Sequence, residues 1–95
     1  MENLADFHRG ESAIKKAIAS ALRDNGVNES SVSSVTHGTE HIPDSVEMQI
    51  FANGHGVTES FTKIEVLDAA TGVDQMAVSS RIRGIAARIA ERFKL

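Results

Sequence analysis

Apolar residues recur along this chain with two different periods. Ile14, Ile18 and Leu22 fall every four residues, with Ala17 and Ala21 on the same side. That spacing predicts an amphipathic helix over about 11–25, with Ser12 as its N-cap and Asn25-Gly26 as its stop. Residues 1–10 precede it as a segment that is either flexible or docked through Leu4 and Phe7, with Gly10 setting it apart. From Ser45 to Ala52 the period changes to two. Val46, Met48, Ile50 and Ala52 alternate with Glu47, Gln49 and Phe51, as in a strand of an antiparallel sheet covered on one side. Asn53-Gly54-His55-Gly56 reads as a hairpin turn, and residues 59–69 as the return strand, closed by Thr71-Gly72.

The helical period returns after Asp74, a candidate cap. Val78, Ile82, Ile85, Ile89 and Phe93 are spaced four, three, four and four apart, which predicts a helix over 75–94. Between the first helix and the strands, residues 28–44 are rich in Ser, Thr and Gly, and residues 31–36 within them fit a short edge strand ended by Pro43. The fold class that follows is α+β: two helices on one face of a small antiparallel sheet of two or three strands, in the order α-(β)-β-β-α. At 95 residues the chain is read as a single domain, 1–95, with a modest core to which oligomerisation would add.

Charge and composition narrow the function classes. Ten basic residues stand against 13 acidic ones, and there are four Phe, no Trp and no Tyr. A nucleic-acid binder is usually basic, and a single-strand binder stacks bases on aromatic rings. Cysteine is absent, which suits a reducing compartment. No secretory signal opens the sequence, and no apolar run approaches the ~20 residues that span a bilayer. The expectation is a cytoplasmic protein with no membrane partner.

Two constellations carry candidate chemistry. The first is Thr36-His37-Gly38-Thr39-Glu40-His41, which has the H-x-x-E-H order of one class of zinc hydrolase. That chemistry needs a helix to bring His37 and His41 onto one face, with Glu40 as general base and a third protein ligand. Gly38 and Pro43 and the absence of apolar periodicity argue for a polar loop instead, so neither a metal nor a cofactor is expected. The second is Arg81, Arg88 and Arg92, which at about 100° per residue share one flank of the last helix. Guanidinium forks suit carboxylates or phosphates. An ordinary surface row, paired with acids such as Glu59, Glu65, Asp68 and Glu91, is the plainest reading.

No G-x-S-x-G elbow, phosphate-binding glycine loop or paired-acid spacing occurs, and no enzyme activity is expected. The function expected is a non-catalytic domain that binds a protein partner or its own copy, as an assembly subunit or an inhibitor of a larger machine. Arg81, Arg88, Arg92, Ile82, Ile85, Ile89 and Phe93 form one candidate interface, and a sheet edge another. The alternatives are nucleic-acid binding through the Arg row and a metal-dependent site at His37, Glu40 and His41.

Overall fold

The computed structural model describes residues 4–38, 41–52, 54–71 and 75–93, with the side chains of residues 75–77 and 93 outside that description. Its elements are α1 (Leu4–Asp24), β1 (Ser31–His37), β2 (Ser45–Ala52), β3 (His55–Thr62), α2 (Lys63–Thr71) and α3 (Gln75–Phe93). The class is α+β, as the periodicities predict, with one helix more than expected. The strands form an antiparallel sheet in the order β1-β2-β3.

α1 begins seven residues earlier than the expected start at residue 11. Phe7 belongs to the same stripe as Ile14, Ile18 and Leu22, and all four are fully buried. Residues 4–10 are therefore the first turns of the helix, and they dock on the core through Phe7. The C-terminal stop falls where the sequence places it. Val27 N–H donates to the Leu22 carbonyl at 2.9 Å and Gly26 N–H to the Arg23 carbonyl at 3.0 Å. This is a Schellman cap, and Gly26 takes the left-handed φ of 90° that it requires.

Gly10 lies inside α1, buried, and not at its boundary. A Cβ built there would lie 1.8 Å from the Val66 carbonyl oxygen of α2. The missing side chain thus lets the two helices touch along their backbones.

The alternation of β2 does what it predicts. Val46, Met48, Ile50 and Ala52 are buried, and they meet Phe7, Ile14, Ile18, Leu22, Phe61, Val66, Ile82 and Ile85 in one apolar core. The short edge strand exists as β1, and Gly54 turns the β2–β3 connection with φ of 79°. The return strand differs from expectation. It runs from 55 to 62, and residues 63–71 form α2, not a continuation of the strand.

The reason is a capping box that the strand reading passed over. Thr62 N–H donates to Glu65 Oε1 at 3.0 Å, and Glu65 N–H donates to Thr62 Oγ1 at 3.3 Å. Thr-Lys-Ile-Glu is the T-x-x-E signature of a helix start. Ile64 accordingly lies on the outer side of α2, 69% exposed. Asp74, the cap expected for the last helix, lies outside the described residues, as does Lys94 at its end.

Gly10→Ala is expected to destabilise the protein by about 2 kcal/mol or more, because the overpacking outweighs the better helix propensity of Ala. A fall in Tm on the order of 10 °C should follow. In α3, a Cβ at Gly84 meets nothing within 4 Å. Gly84→Ala should therefore stabilise by about 0.5–1 kcal/mol. Thermal melts of the two variants check the contrast, and equal effects would contradict the α1–α2 contact.

Candidate protein interface

The Arg row of α3 turns inward to its own sheet. Arg81 Nη1 donates to Glu65 Oε2 at 2.6 Å, and Arg81 Nη2 donates to the Ser60 carbonyl. Its guanidinium carbon sits 4.2 Å from the centre of the buried Phe61 ring, a cation–π contact. Arg88 pairs with Glu59 of β3 at 3.0 Å. Two of the three arginines thus tie α3 to β3 and α2, using two of the acids that an ordinary surface row predicts. Arg92 has no partner among the described residues.

The aliphatic candidates on the same helix belong to the core. Ile82, Ile85 and Ile89 are between 1% and 4% exposed, so an interface on α3 would draw little new burial from them. The Phe93 side chain lies outside the described residues. Ile85 and Ile89 do floor a groove of about 450 Å³ between α3 and β3, with Val57, Glu59, Arg88, Glu91 and Arg92 around it.

The histidine motif is divided by the fold. His37 is the last residue of β1, and its Nε2 lies 3.2 Å from Glu47 Oε1 on β2. A residue in an extended strand does not share a helical face with His41, so the geometry that H-x-x-E-H chemistry needs is not formed. Glu40 and Thr39 lie outside the described residues. Among the described residues, no three His, Asp or Glu side chains are grouped to hold a metal ion.

The sheet edges are unequal, and the hydrogen-bond alternation shows how. Lys63 N–H donates to the Asp44 carbonyl at 2.9 Å, extending the β2–β3 ladder one step past Ser45↔Thr62. Bonds in an antiparallel ladder alternate. Even-numbered residues of β2 therefore bond toward β3, and odd-numbered ones toward β1. On β3, the main chain of Thr58, Ser60 and Thr62 then points away from the sheet. The Arg81–Glu65 pair occupies part of that edge, since Arg81 takes the Ser60 carbonyl and Glu65 takes the Thr62 N–H.

On β1, by the same alternation, Val32, Ser34 and Thr36 turn their N–H and C=O groups outward. This edge, Ser31-Val32-Ser33-Ser34-Val35-Thr36-His37, holds no Asp, Glu, Lys, Arg or Pro. The register against β2 is continuous, without a bulge. These are the usual devices that keep an edge from pairing, and β1 lacks them. Below the strand, the buried carboxylate of Glu11 accepts from the Ser34 hydroxyl and lies 3.1 Å from His8 Nδ1. Above it, the outer sheet face exposes Val35 and Phe51, the latter lying over Gly56 on β3.

Of these features, the sequence shows β1 as an edge strand but not which edge is closed. The signal for that was T-x-x-E at Thr62 to Glu65, since the box that starts α2 also caps β3. No helix among the described residues is long and apolar enough to cross a membrane. Comparison with known proteins finds no protein-family model, no curated protein and no solved structure that matches this chain.

Burial raises the Glu65 pKa, but the Thr62 N–H, the Arg81 guanidinium and the Thr62 hydroxyl together outweigh it. They hold the carboxyl below its ordinary value of 4.5. A carboxylate with a lowered folded pKa stabilises the fold above the unfolded value, and that contribution is lost as pH falls through the folded one. The stability difference between wild type and Glu65→Gln should be constant at neutral pH and shrink as pH drops below 4.5. Urea melts between neutral and acid pH measure it, and a difference independent of pH would contradict the role given to Glu65.

Proposed function

We propose that this protein is a non-catalytic binding domain that associates with another protein chain or with its own copy through the edge of its sheet. The observation that carries this reading is the asymmetry of the edges. β3 is capped by Arg81 and Glu65, while β1 offers the outward backbone groups of Val32, Ser34 and Thr36. Added strands bind by main-chain hydrogen bonds, and side-chain pockets refine the choice. An edge without charge accepts a strand at no cost in like-charge repulsion. An assembly subunit or an inhibitor would use such an edge in the same way, and the cysteine-free chain suits a cytoplasmic setting.

The Arg row supports protein binding over nucleic-acid binding. Arg81 and Arg88 are each engaged with a carboxylate, so a phosphate would have to compete with Glu65 and Glu59. The total charge of −3 opposes it further.

Thr36→Pro is the informative variant, because it removes an outward N–H and leaves the bonds to β2 intact. Association, read by light scattering and by pull-down from a lysate, should persist at about 0.5 M salt, where surface charge interactions are largely screened. It should be lost in Thr36→Pro and retained in Arg92→Glu. Retained nucleic acid that is released by salt and absent from Arg92→Glu would overturn the reading.

A further inference from the structure

Building on the edge reading above, we infer that the occupant of β1 is a second copy of this chain, paired antiparallel across a two-fold axis that passes through Val35. The two sheets would join into one continuous six-stranded sheet.

The outward main-chain groups set the choices. Ser34 and Thr36 point outward, so an axis at Val35 makes Ser34 and Thr36 of the second copy a hydrogen-bonded pair, twice over. Val35 then faces Val35 of the second copy as a non-hydrogen-bonded pair, the closer of the two pair types at about 4.5 Å between Cα atoms. Val35 is 42% exposed and is the one exposed large apolar residue of β1 among the described residues. This axis buries it against its own equivalent. An axis at Ser34 instead would bring the Glu11 carboxylates of the two copies, each bonded to its Ser34, toward one another across the junction. An axis at Ser33 would set Val35 against Ser31.

Charge permits the Val35 axis. Every residue paired across it from Ser33 to His37 lacks Asp, Glu, Lys and Arg. The nearest acid on the outer face is Glu47, opposite Val35 on β2 and beside His37. The two copies of Glu47 would stand three strand spacings apart, about 14 Å, beyond the screening length in physiological salt. Arg81 and Glu65 occupy the Ser60–Thr62 end of the β3 edge, β1 is clear along its length, and a β1 edge that pairs with its own copy is then used up. The association closes at two chains and does not run on into a fibre.

Since the chain has no cysteine, single-cysteine variants report the axis directly. Val35→Cys should oxidise to a disulfide-linked dimer in high yield, because a non-hydrogen-bonded cross-strand pair brings the sulfurs within bonding reach. Thr58→Cys, on the outer face of β3, should stay largely monomeric under the same oxidant. Light scattering of wild type should give twice the chain mass of 10.2 kDa, and Thr36→Pro should return it to the single-chain value with an unchanged circular dichroism spectrum. The axis is wrong if Val35→Cys links no more than Thr58→Cys. A wild-type monomer that captures a foreign protein, and loses it in Thr36→Pro, would overturn the second copy while leaving the edge reading standing. A dimer untouched by both Thr36→Pro and Val35→Cys would overturn both readings.

Discussion

The junction of Thr62, Glu65 and Arg81 holds the architecture together because each of its groups serves two elements. The Thr62 N–H and hydroxyl end β3 and start α2 through the same carboxylate. Arg81 then brings α3 onto that carboxylate, onto the Ser60 carbonyl and over the Phe61 ring. Glu65 is half-buried, so its pairing with Arg81 and the Thr62 donors offsets the desolvation that its position imposes. Without this junction the chain after Thr62 would have a strand-like composition and a free edge to extend along.

Helix packing depends on a second constraint, the absence of a side chain at Gly10. α1 lies against α2 closely enough that a Cβ would overlap the Val66 carbonyl. That approach carries Phe7 into the core with Val66 and Phe61. It also sets Glu11, the one buried charged residue described, beneath Ser34. A carboxylate at 9% exposure needs partners, and the hydroxyl of β1 and the imidazole of His8 supply them. The polar inner position of β1 at Ser34 therefore has a structural reason. The strand's outward backbone remains untouched by it.

These two constraints give the sheet its asymmetry. One side is fastened by arginines from α3, and the other rests on α1 through Ser34 with its edge clear. The Arg row, the most visible chemical feature of the sequence, is a fastener at Arg81 and Arg88. The least conspicuous stretch, the Ser-rich β1, presents the open edge.

What the sequence determined by itself were the faces. The four-residue spacing of Ile14, Ile18 and Leu22, the alternation from Val46 to Ala52 and the stripe from Val78 to Ile89 each reflect burial along one element, which is a local pattern. The Asn25-Gly26 stop is equally local, since it needs only a left-handed φ. Tertiary structure decided the rest, because the deciding partners are far away in sequence. Gly10 looked like a boundary until Val66 lay against it. Residues 63–69 read as strand because the apolar residues do not reveal which neighbour they will meet, although the Thr62–Glu65 box is there to be read. Arg81 lies 16 residues from the Glu65 carboxylate and 21 from the Ser60 carbonyl. Only folding brings them together, and only then is one end of the β3 edge occupied while β1 stays open.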